Sequence, residues 1–232
     1  MKNHGKIALI VGASSGVGKA CADYLIKKRY IVYGTSRKAE FGQVIDEINM
    51  LPLNVTEESS IKAAVDYIYE KEGAINVMIN CPGYGLAGSV EDISIAEAKE
   101  IFDTNFFGIM ACNQAILPIM RKQRSGLIIN ISSVAGFISI PYQSMYSASK
   151  YALEAMTEAL RIEVKQFNIR VSLIAPGDMK TNFERRYAAK ANNSVYQKAC
   201  ERAVNAMIKS EASGPSPNCV VKDLKRILRK RN

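Results

Sequence analysis

The chain has 232 residues, 48% hydrophobic and 23% charged, the balance of a globular domain with a sizeable core, which excludes wholesale disorder, collagen and coiled coil. The net charge of +9 is concentrated at the two ends, and the basic C-terminal run is spaced as a solvated helix rather than an arm, so no nucleic-acid partner is expected. The single histidine, His4, is read as a solvated terminal residue, which argues against a Ser-His-Asp triad, a Cys-His pair or a multi-histidine zinc site; no metal site is expected, and acid–base work falls to Tyr, Lys, Asp, Glu or Cys.

In chain order, Lys6–Val11 is a short apolar run ending in glycines, the pattern of a buried strand. Lys19–Lys28 has Ala20, Tyr24 and Leu25 at helical spacing, and Ile31–Thr35 is a second strand. Gln43–Asn49 reads as a short helix and Met50–Leu53 as a third strand. Glu57–Glu72 is a helix with Ile61, Ala64, Val65 and Ile68 on one face, and Asn76–Asn80 a fourth strand. Ile95–Arg121 is one or two helices with Pro118 marking a late kink or end. Gly126–Ile131 is a fifth strand, Ser147–Phe167 a long helix, Ile169–Ile174 a sixth strand, and Ser216–Arg231 a last helix after the Gly214-Pro215-Ser216-Pro217 turn. Strands separated by helices of this length imply parallel βαβ units. The expected fold is therefore a single-domain, Rossmann-like α/β structure over residues 1–232, a doubly wound parallel sheet of six strands with helices on both faces. Such a sheet binds its ligand at the carboxyl ends of its strands.

The five cysteines, Cys21, Cys81, Cys112, Cys200 and Cys219, are widely and irregularly spaced and odd in number, as free thiols in the reducing cytoplasm would be. No signal peptide is read at the N-terminus. Residues 125–149 carry no charge, but Asn130, Ser132, Ser133, Ser139, Pro141, Gln143 and Ser144 interrupt them, so no membrane span is expected.

Two segments carry chemistry. The first strand ends in Val11-Gly12-Ala13-Ser14-Ser15-Gly16-Val17-Gly18 and a helix follows. Gly12 suits the tight turn, Gly16 the close approach of a phosphate, and Gly18 the packing of helix on sheet, while the helix N-terminus presents free N–H groups to a pyrophosphate. Ser14 or Ser15 adds a hydroxyl donor. An NAD site usually has a carboxylate at the end of the second strand for the ribose 2′-hydroxyl. This chain has Thr35-Ser36-Arg37-Lys38 there, and an arginine fork grips a 2′-phosphate, so NADP(H) is expected in preference to NAD(H). The second segment is Tyr146-Ser147-Ala148-Ser149-Lys150. Four residues apart, Tyr146 and Lys150 share a helix face. An ammonium near a phenol stabilises the phenolate and lowers its pKa, which suits the tyrosine to pass a proton to or from a substrate oxygen. Ser133, at the end of the fifth strand, is placed to hydrogen-bond the same oxygen.

On these motifs the sequence resembles the short-chain dehydrogenase/reductase family over nearly its whole length. Gly12-x-x-x-Gly16-x-Gly18 matches the family's cofactor loop, and Leu53-Asn54-Val55-Thr56 is similar to its adenine-binding Asp-Val-Thr, with Asn54 in place of Asp. Asn80-Cys81-Pro82-Gly83 is similar to its Asn-Asn-Ala-Gly, changed at two positions, and Asn105-Phe106-Phe107-Gly108 fits the Asn-x-x-Gly of its catalytic asparagine. Pro176-Gly177-Asp178-Met179-Lys180-Thr181 matches the Pro-Gly-x-x-x-Thr beside the nicotinamide. The resemblance implies catalytic Asn105, Ser133, Tyr146 and Lys150, with Tyr146 as general acid in reduction and base in oxidation. Lys150 would lower the tyrosine's pKa and hold the nicotinamide ribose, Ser133 orient the carbonyl, and Asn105 help hold Lys150 and a relay water. It also implies cofactor contacts from Gly12, Ser14, Ser15, Gly16, Val17, Gly18, Arg37, Lys38, Asn54, Val55, Asn80, Gly83, Tyr146, Lys150, Pro176, Gly177, Met179 and Thr181.

Within the family the chain is similar to the hydroxysteroid, retinol and carbonyl reductase branch through Gly83-Tyr84-Gly85-Leu86-Ala87-Gly88 and Thr104-Asn105-Phe106-Phe107-Gly108. That branch implies a small-molecule carbonyl or alcohol substrate, bulky and apolar, steroid-, retinoid- or lipid-like. A homodimer or homotetramer is implied, with Cys112, Ala152, Ala155, Met156 and Ala159 suited to its contact or to a monomer core. Residues 182–213 are expected as a substrate lid, with Val195, Tyr196, Met207 and Ile208 facing an apolar ligand or packing on the core. After the helix at 216–231 the family's seventh strand is missing, as in a fragment or a six-stranded protein. The altered Asn80–Gly83 motif and this short tail support one alternative, a non-catalytic dinucleotide-binding or redox-sensing protein.

Overall fold

The structure, a computed structural model, describes residues 5–229; His4 and the end of the C-terminal helix expected at 216–231 lie outside them. Along β1 (Ile7–Val11) side chains alternate between two faces: Ile7, Leu9 and Val11 enter one core and Ala8 and Ile10 the other. A strand buried on both faces needs helices on both, and the chain supplies them. The α1 helix (Gly16–Lys27) and α7 (Val220–Arg229) cover one face with Cys21, Ala22, Leu25, Val220, Leu224 and Ile227. The other is covered by α2 (Glu58–Glu72), α4 (Gly108–Gln123) and α5 (Ser144–Glu163), through Ile61, Val65, Ile68, Cys112, Ile116, Met120 and Leu160.

The remaining parallel strands are β2 (Ile31–Ser36), β4 (Ile48–Pro52), β5 (Val77–Asn80), β7 (Gly126–Ile131) and β8 (Ile169–Ile174). With the antiparallel edge strand β3 (Gln43–Ile45) they form one seven-stranded sheet in the order β3-β4-β2-β1-β5-β7-β8. The order reverses between β1 and β5, and a doubly wound sheet opens its ligand crevice at that point.

Two expectations are corrected and a third is narrowed. Gln43–Asn49 is not a helix but a hairpin, in which Asp46 and Glu47 both take positive φ and pair Ile45 with Ile48. A primed two-residue turn matches strand twist, but neither residue of Asp46-Glu47 is the glycine that usually signals one. The sheet therefore has a seventh strand, at the opposite edge from the one expected to be missing; beside β8, the edge at the other end, the Arg170 guanidinium donates to the Ile227 carbonyl of α7 at 2.9 Å. Pro118 does not end its helix, which runs on to Gln123. Of the residues suited to an oligomer contact, Cys112 is a core residue at 1% exposure, whereas Ala155 and Ala159 on α5 are exposed.

Above the carboxyl ends of β5 and β7 sits a smaller layer. The β6 strand (Gly85–Ala87) pairs in parallel with β9 (Arg185–Tyr187), flanked by α3 (Ile95–Phe102) and α6 (Gln197–Ser213). A capping box of Ser94 and Glu97 starts α3. A π-helical turn, Asp103–Phe107, joins α3 to α4 and carries the buried Asn105; such turns recur at functional sites.

Candidate active site

A cleft of about 790 Å³ runs along the carboxyl ends of the strands, from Arg37 past the glycine loop to Tyr146. At its glycine end Gly12 has φ +81, a conformation that favours glycine. A Cβ on Gly18 would stand 2.0 Å from the Gly12 carbonyl oxygen, so only glycine lets α1 start this close to β1. The Gly12 N–H is held by Thr35 Oγ1 at 3.2 Å. Ser15, the residue before α1, makes no side-chain cap. The first N–H groups of the helix are left to an anion, and this cradle fits the pyrophosphate of a dinucleotide. Of the residues read as cofactor contacts, Ser14, Ser15, Gly16, Val17, Gly18, Arg37, Lys38, Asn54, Val55, Gly83, Pro176, Gly177, Met179 and Thr181 line the cleft.

At the inner end, α5 brings Tyr146 and Lys150 onto one face beneath the end of β7. The Ser133 hydroxyl hydrogen-bonds the Tyr146 phenol and accepts the Ala135 N–H at 3.2 Å. Lys150 is 4% exposed; its Nζ donates to the Ile131 carbonyl at 3.1 Å and stands 5.9 Å from the centre of the Tyr146 ring. Burial lowers the Lys150 pKa to about 8, against the opposing charges of Cys81 and Glu154. Burial likewise raises Tyr146 above the ordinary tyrosine value, while the Ser133 hydrogen bond and the charge of Arg185 pull it down and Glu211 pushes it up. Arg185 is thus a second cation beside the phenol, one that the sequence reading did not name.

Two expected site residues lie beneath the cleft instead of in its wall. Asn105 is fully buried; its Oδ1 accepts the Tyr84 N–H at 3.0 Å and its Nδ2 donates to the Tyr84 carbonyl at 3.0 Å and to Ser149 Oγ at 3.2 Å. It stands close to Lys150 across Gly83, where an added Cβ would meet Asn105 Oδ1 at 3.3 Å and Lys150 Nζ at 3.5 Å. Asn80 Nδ2 donates to Asn113 at 2.9 Å and to Asn130 at 2.8 Å, and Asn130 donates to Thr157 at 2.9 Å. This buried chain of amides ties β5 and β7 to α4 and α5. Asn54 lines the cleft, but its side chain is committed to the turn before α2, donating to Glu57 at 2.7 Å and accepting from the Thr56 hydroxyl at 3.0 Å.

The sequence reading placed a lid at 182–213 but missed the residues that build the roof. Phe183 packs edge-on against Tyr146 at 5.7 Å, and Arg185, its side chain 9% exposed, pairs with Glu211 of α6 at 2.6 Å. Arg186 stacks on the Tyr84 ring at 4.0 Å and pairs with Glu100 of α3 at 2.5 Å. The sequence signal for these was the Glu184-Arg185-Arg186 run directly after the nicotinamide-side motif, which reads only as surface charge. Of the four expected apolar lid residues only Met207 lines the cleft; Val195 is 92% exposed and Ile208 45%. All five cysteines are free. Among the described residues no helix is long and apolar enough to cross a membrane, and no group of three or more His, Cys, Asp or Glu is placed to hold a metal ion.

Comparison with known proteins gives the chain its relatives. A family model for short chain dehydrogenases matches residues 6–192. The chain is 40% identical over 230 residues to a 3-ketodihydrosphingosine reductase of Bacteroides thetaiotaomicron, covering 98% of this chain and 85% of that one. It is 37% identical over 203 residues to human retinol dehydrogenase 8, covering 82% of this chain and 64% of that one. A solved structure of ElxO with NADP bound superposes with a TM-score of 0.80 at 25% identity, covering 98% of this chain and 93% of that one.

Proposed function

This chain belongs to the short-chain dehydrogenase/reductase family, and from that premise we propose that it is an NADP(H)-dependent oxidoreductase interconverting a ketone or aldehyde and an alcohol. The observation that carries the reading is one cleft with Ser133, Tyr146 and Lys150 at its inner end and an arginine, with no carboxylate beside it on β2, at the other. The nicotinamide group, when bound, supplies or takes the hydride. In reduction the Tyr146 phenol donates its proton to the carbonyl oxygen, and in oxidation its phenolate takes the hydroxyl proton. Ser133 shares that oxygen and orients it. Lys150 holds the ribose beside it and opposes the burial that keeps Tyr146 protonated. Asn105 acts as a positioning residue, fixing the Tyr84 backbone and the space before Lys150. Arg37, with Lys38 beside it, binds the 2′-phosphate.

The substrate is read as bulky and apolar. Ile140, Val134, Phe183, Met179 and Met207 line the cleft, Phe183 against the Tyr146 ring, and two relatives are named for 3-ketodihydrosphingosine and for retinol. Residues 182–213 act as its lid, within one domain that includes α7. The free thiols favour a cytoplasmic setting, and the exposed small residues of α5 favour a homodimer or homotetramer. Fluorescence titration with NADPH and with NADH tests the cofactor, and a carbonyl and alcohol panel tests turnover. The reading requires tight NADPH binding, weak NADH binding, and turnover lost in Tyr146→Phe. A protein that binds NADPH tightly and turns nothing over is the non-catalytic dinucleotide binder instead.

A further inference from the structure

Four charged side chains cross the mouth of the cleft in alternating sign. Arg37, at the end of β2, stands 3.9 Å from Glu184. Glu184 stands 2.8 Å from Arg186, and Arg186 2.5 Å from Glu100 of α3. This is not a contact between two loose loops. The Glu184 carbonyl accepts the Gly85 N–H at 2.9 Å, the β6–β9 ladder begins at the next residue, and the Arg186 guanidinium carbon lies 4.0 Å from the centre of the Tyr84 ring. The Glu184 backbone is therefore fixed, and its carboxylate is shared between two arginines, one on each side. Arg37 and Glu184 are 69% and 47% exposed in their side chains, so the contact is weak and readily exchanged.

We infer that Glu184 is a cofactor-discriminating residue, competing with the ribose 2′-phosphate for Arg37 and retained by Arg186 when the phosphate wins. The inference rests on the reading of Arg37 as the 2′-phosphate ligand. A carboxylate and a phosphate are like charges, so both cannot occupy one guanidinium closely without a cost. Arg186 makes the exchange feasible, because Glu184 keeps one ion pair after it releases Arg37. A ligand without the 2′-phosphate has no claim on Arg37 and leaves the Glu184 contact in place. The discrimination between the two cofactors is thus set by three residues, Arg37 attracting the phosphate, Glu184 opposing it and Arg186 relieving that opposition.

The test compares 2′,5′-ADP with 5′-ADP by calorimetry at low salt, in wild type, Arg37→Ala, Glu184→Gln and Arg186→Gln; thermal melts confirm folding. The readout is the ratio of the two dissociation constants. Arg37→Ala is expected to collapse the preference for 2′,5′-ADP at least about tenfold, as a charge-assisted phosphate contact would. Glu184→Gln is expected to raise it about threefold, and Arg186→Gln to lower it about twofold, as exposed ion pairs would. Both smaller effects should shrink at physiological salt. If Arg37→Ala collapses the ratio while Glu184→Gln leaves it unchanged or lowers it, the Glu184 inference is overturned and the Arg37 reading stands. If Arg37→Ala leaves the ratio unchanged, the Arg37 reading fails and takes the inference with it.

Discussion

On the floor of the cleft, Lys150 and Asn105 are buried and bound to backbone groups, and Asn80 beneath them is held by other buried amides. On the roof, Glu184, Arg186 and Glu100 are at least one-third exposed in their side chains and bound mainly to one another. Floor contacts are made in a low dielectric between groups with no alternative partner, so removing one strands the other. Roof contacts are solvated and interchangeable, so each is individually small. The floor is suited to chemistry, which needs fixed geometry, and the roof to admitting ligands. Mutations should therefore separate the two regions, with floor changes abolishing turnover or folding and roof changes moving specificity.

The largest effect is expected from Tyr146→Phe, which removes the proposed proton donor and keeps the ring packed on Phe183. Turnover should fall about 10²- to 10⁴-fold with NADPH affinity within about twofold by fluorescence titration. Gly18→Ala comes next. Its Cβ would lie 2.0 Å from the Gly12 carbonyl oxygen, so α1 must shift off β1, at a cost of about 3 kcal/mol or more in urea unfolding and with loss of cofactor binding. A Gly18→Ala variant with wild-type stability would show that the floor is looser than its contacts imply.

Lys150→Met breaks the floor in the opposite direction. Burial lowers the Lys150 pKa from 10.5 to about 8, so the unfolded chain holds a proton that the folded one has lost between those values, and this group's contribution makes stability rise with pH there. Below about pH 8 the buried charge costs its full amount, on the order of 3 kcal/mol. The methionine variant should be inactive yet more stable than wild type at pH 7, by about 1–2 kcal/mol once the Ile131 carbonyl has lost its donor. That difference should narrow as pH rises from 8 toward 10.5 in paired denaturant melts. A constant difference across the range would mean that folded Lys150 holds its proton as tightly as the unfolded chain does, so that burial does not depress its pKa.

Much of this division was legible in the sequence, and on one side more than the other. The glycine loop, Ser133, Tyr146 and Lys150 are legible because their chemistry needs fixed spacing on a strand end and one helix face. The six parallel strands were legible because strands buried on both faces read as continuous apolar runs. The β3 hairpin was not, since all three of its residues are exposed and its turn uses Asp46-Glu47 in place of a glycine. Asn80 and Asn105 were identified as residues, but their burial was not, because nothing in the local pattern says that an asparagine's partners are Asn113, Asn130 or the Tyr84 backbone. The roof was the least legible. Arg185 finds Glu211, and Arg186 finds Glu100, only after the chain has folded back over the cleft, and no local periodicity encodes pairs so far apart in sequence.

Arg185 lies where the two regions meet. Its pair with Glu211 is half a floor contact, with side-chain exposures of 9% and 23%, and it is one of the groups that hold Tyr146 down. Arg185→Gln should cost about 1–2 kcal/mol in stability, less than a fully buried pair because Glu211 keeps access to water. With that cation gone Tyr146 rises, so reduction should persist to higher pH in the variant than in wild type. An unmoved pH profile with lowered stability would make Arg185 a purely structural residue.

The smallest effect belongs to Glu97, and it probes the roof alone. Its carboxylate accepts the Ser94 N–H at 2.8 Å at the start of α3 and the Ala189 N–H at 2.7 Å just past β9, so it staples the roof strand to the helix beneath. Partial burial acts to raise its pKa, but the hydrogen bonds from Ser94 and Ala189 and the charge of Lys190 outweigh that and hold it below the ordinary glutamate value. The stabilisation is therefore complete above the unfolded glutamate value and is lost as pH falls through the lower folded one. Glu97→Gln should lower Tm by about 1–2 °C, as a weakened cap does, and should speed amide exchange at residues 184–190 while leaving β1, β5 and β7 protected. In wild type the same segment should lose protection in mild acid before the sheet does. If the sheet and the roof lose protection together, the two regions form one cooperative unit and their different chemistry has no counterpart in their stability.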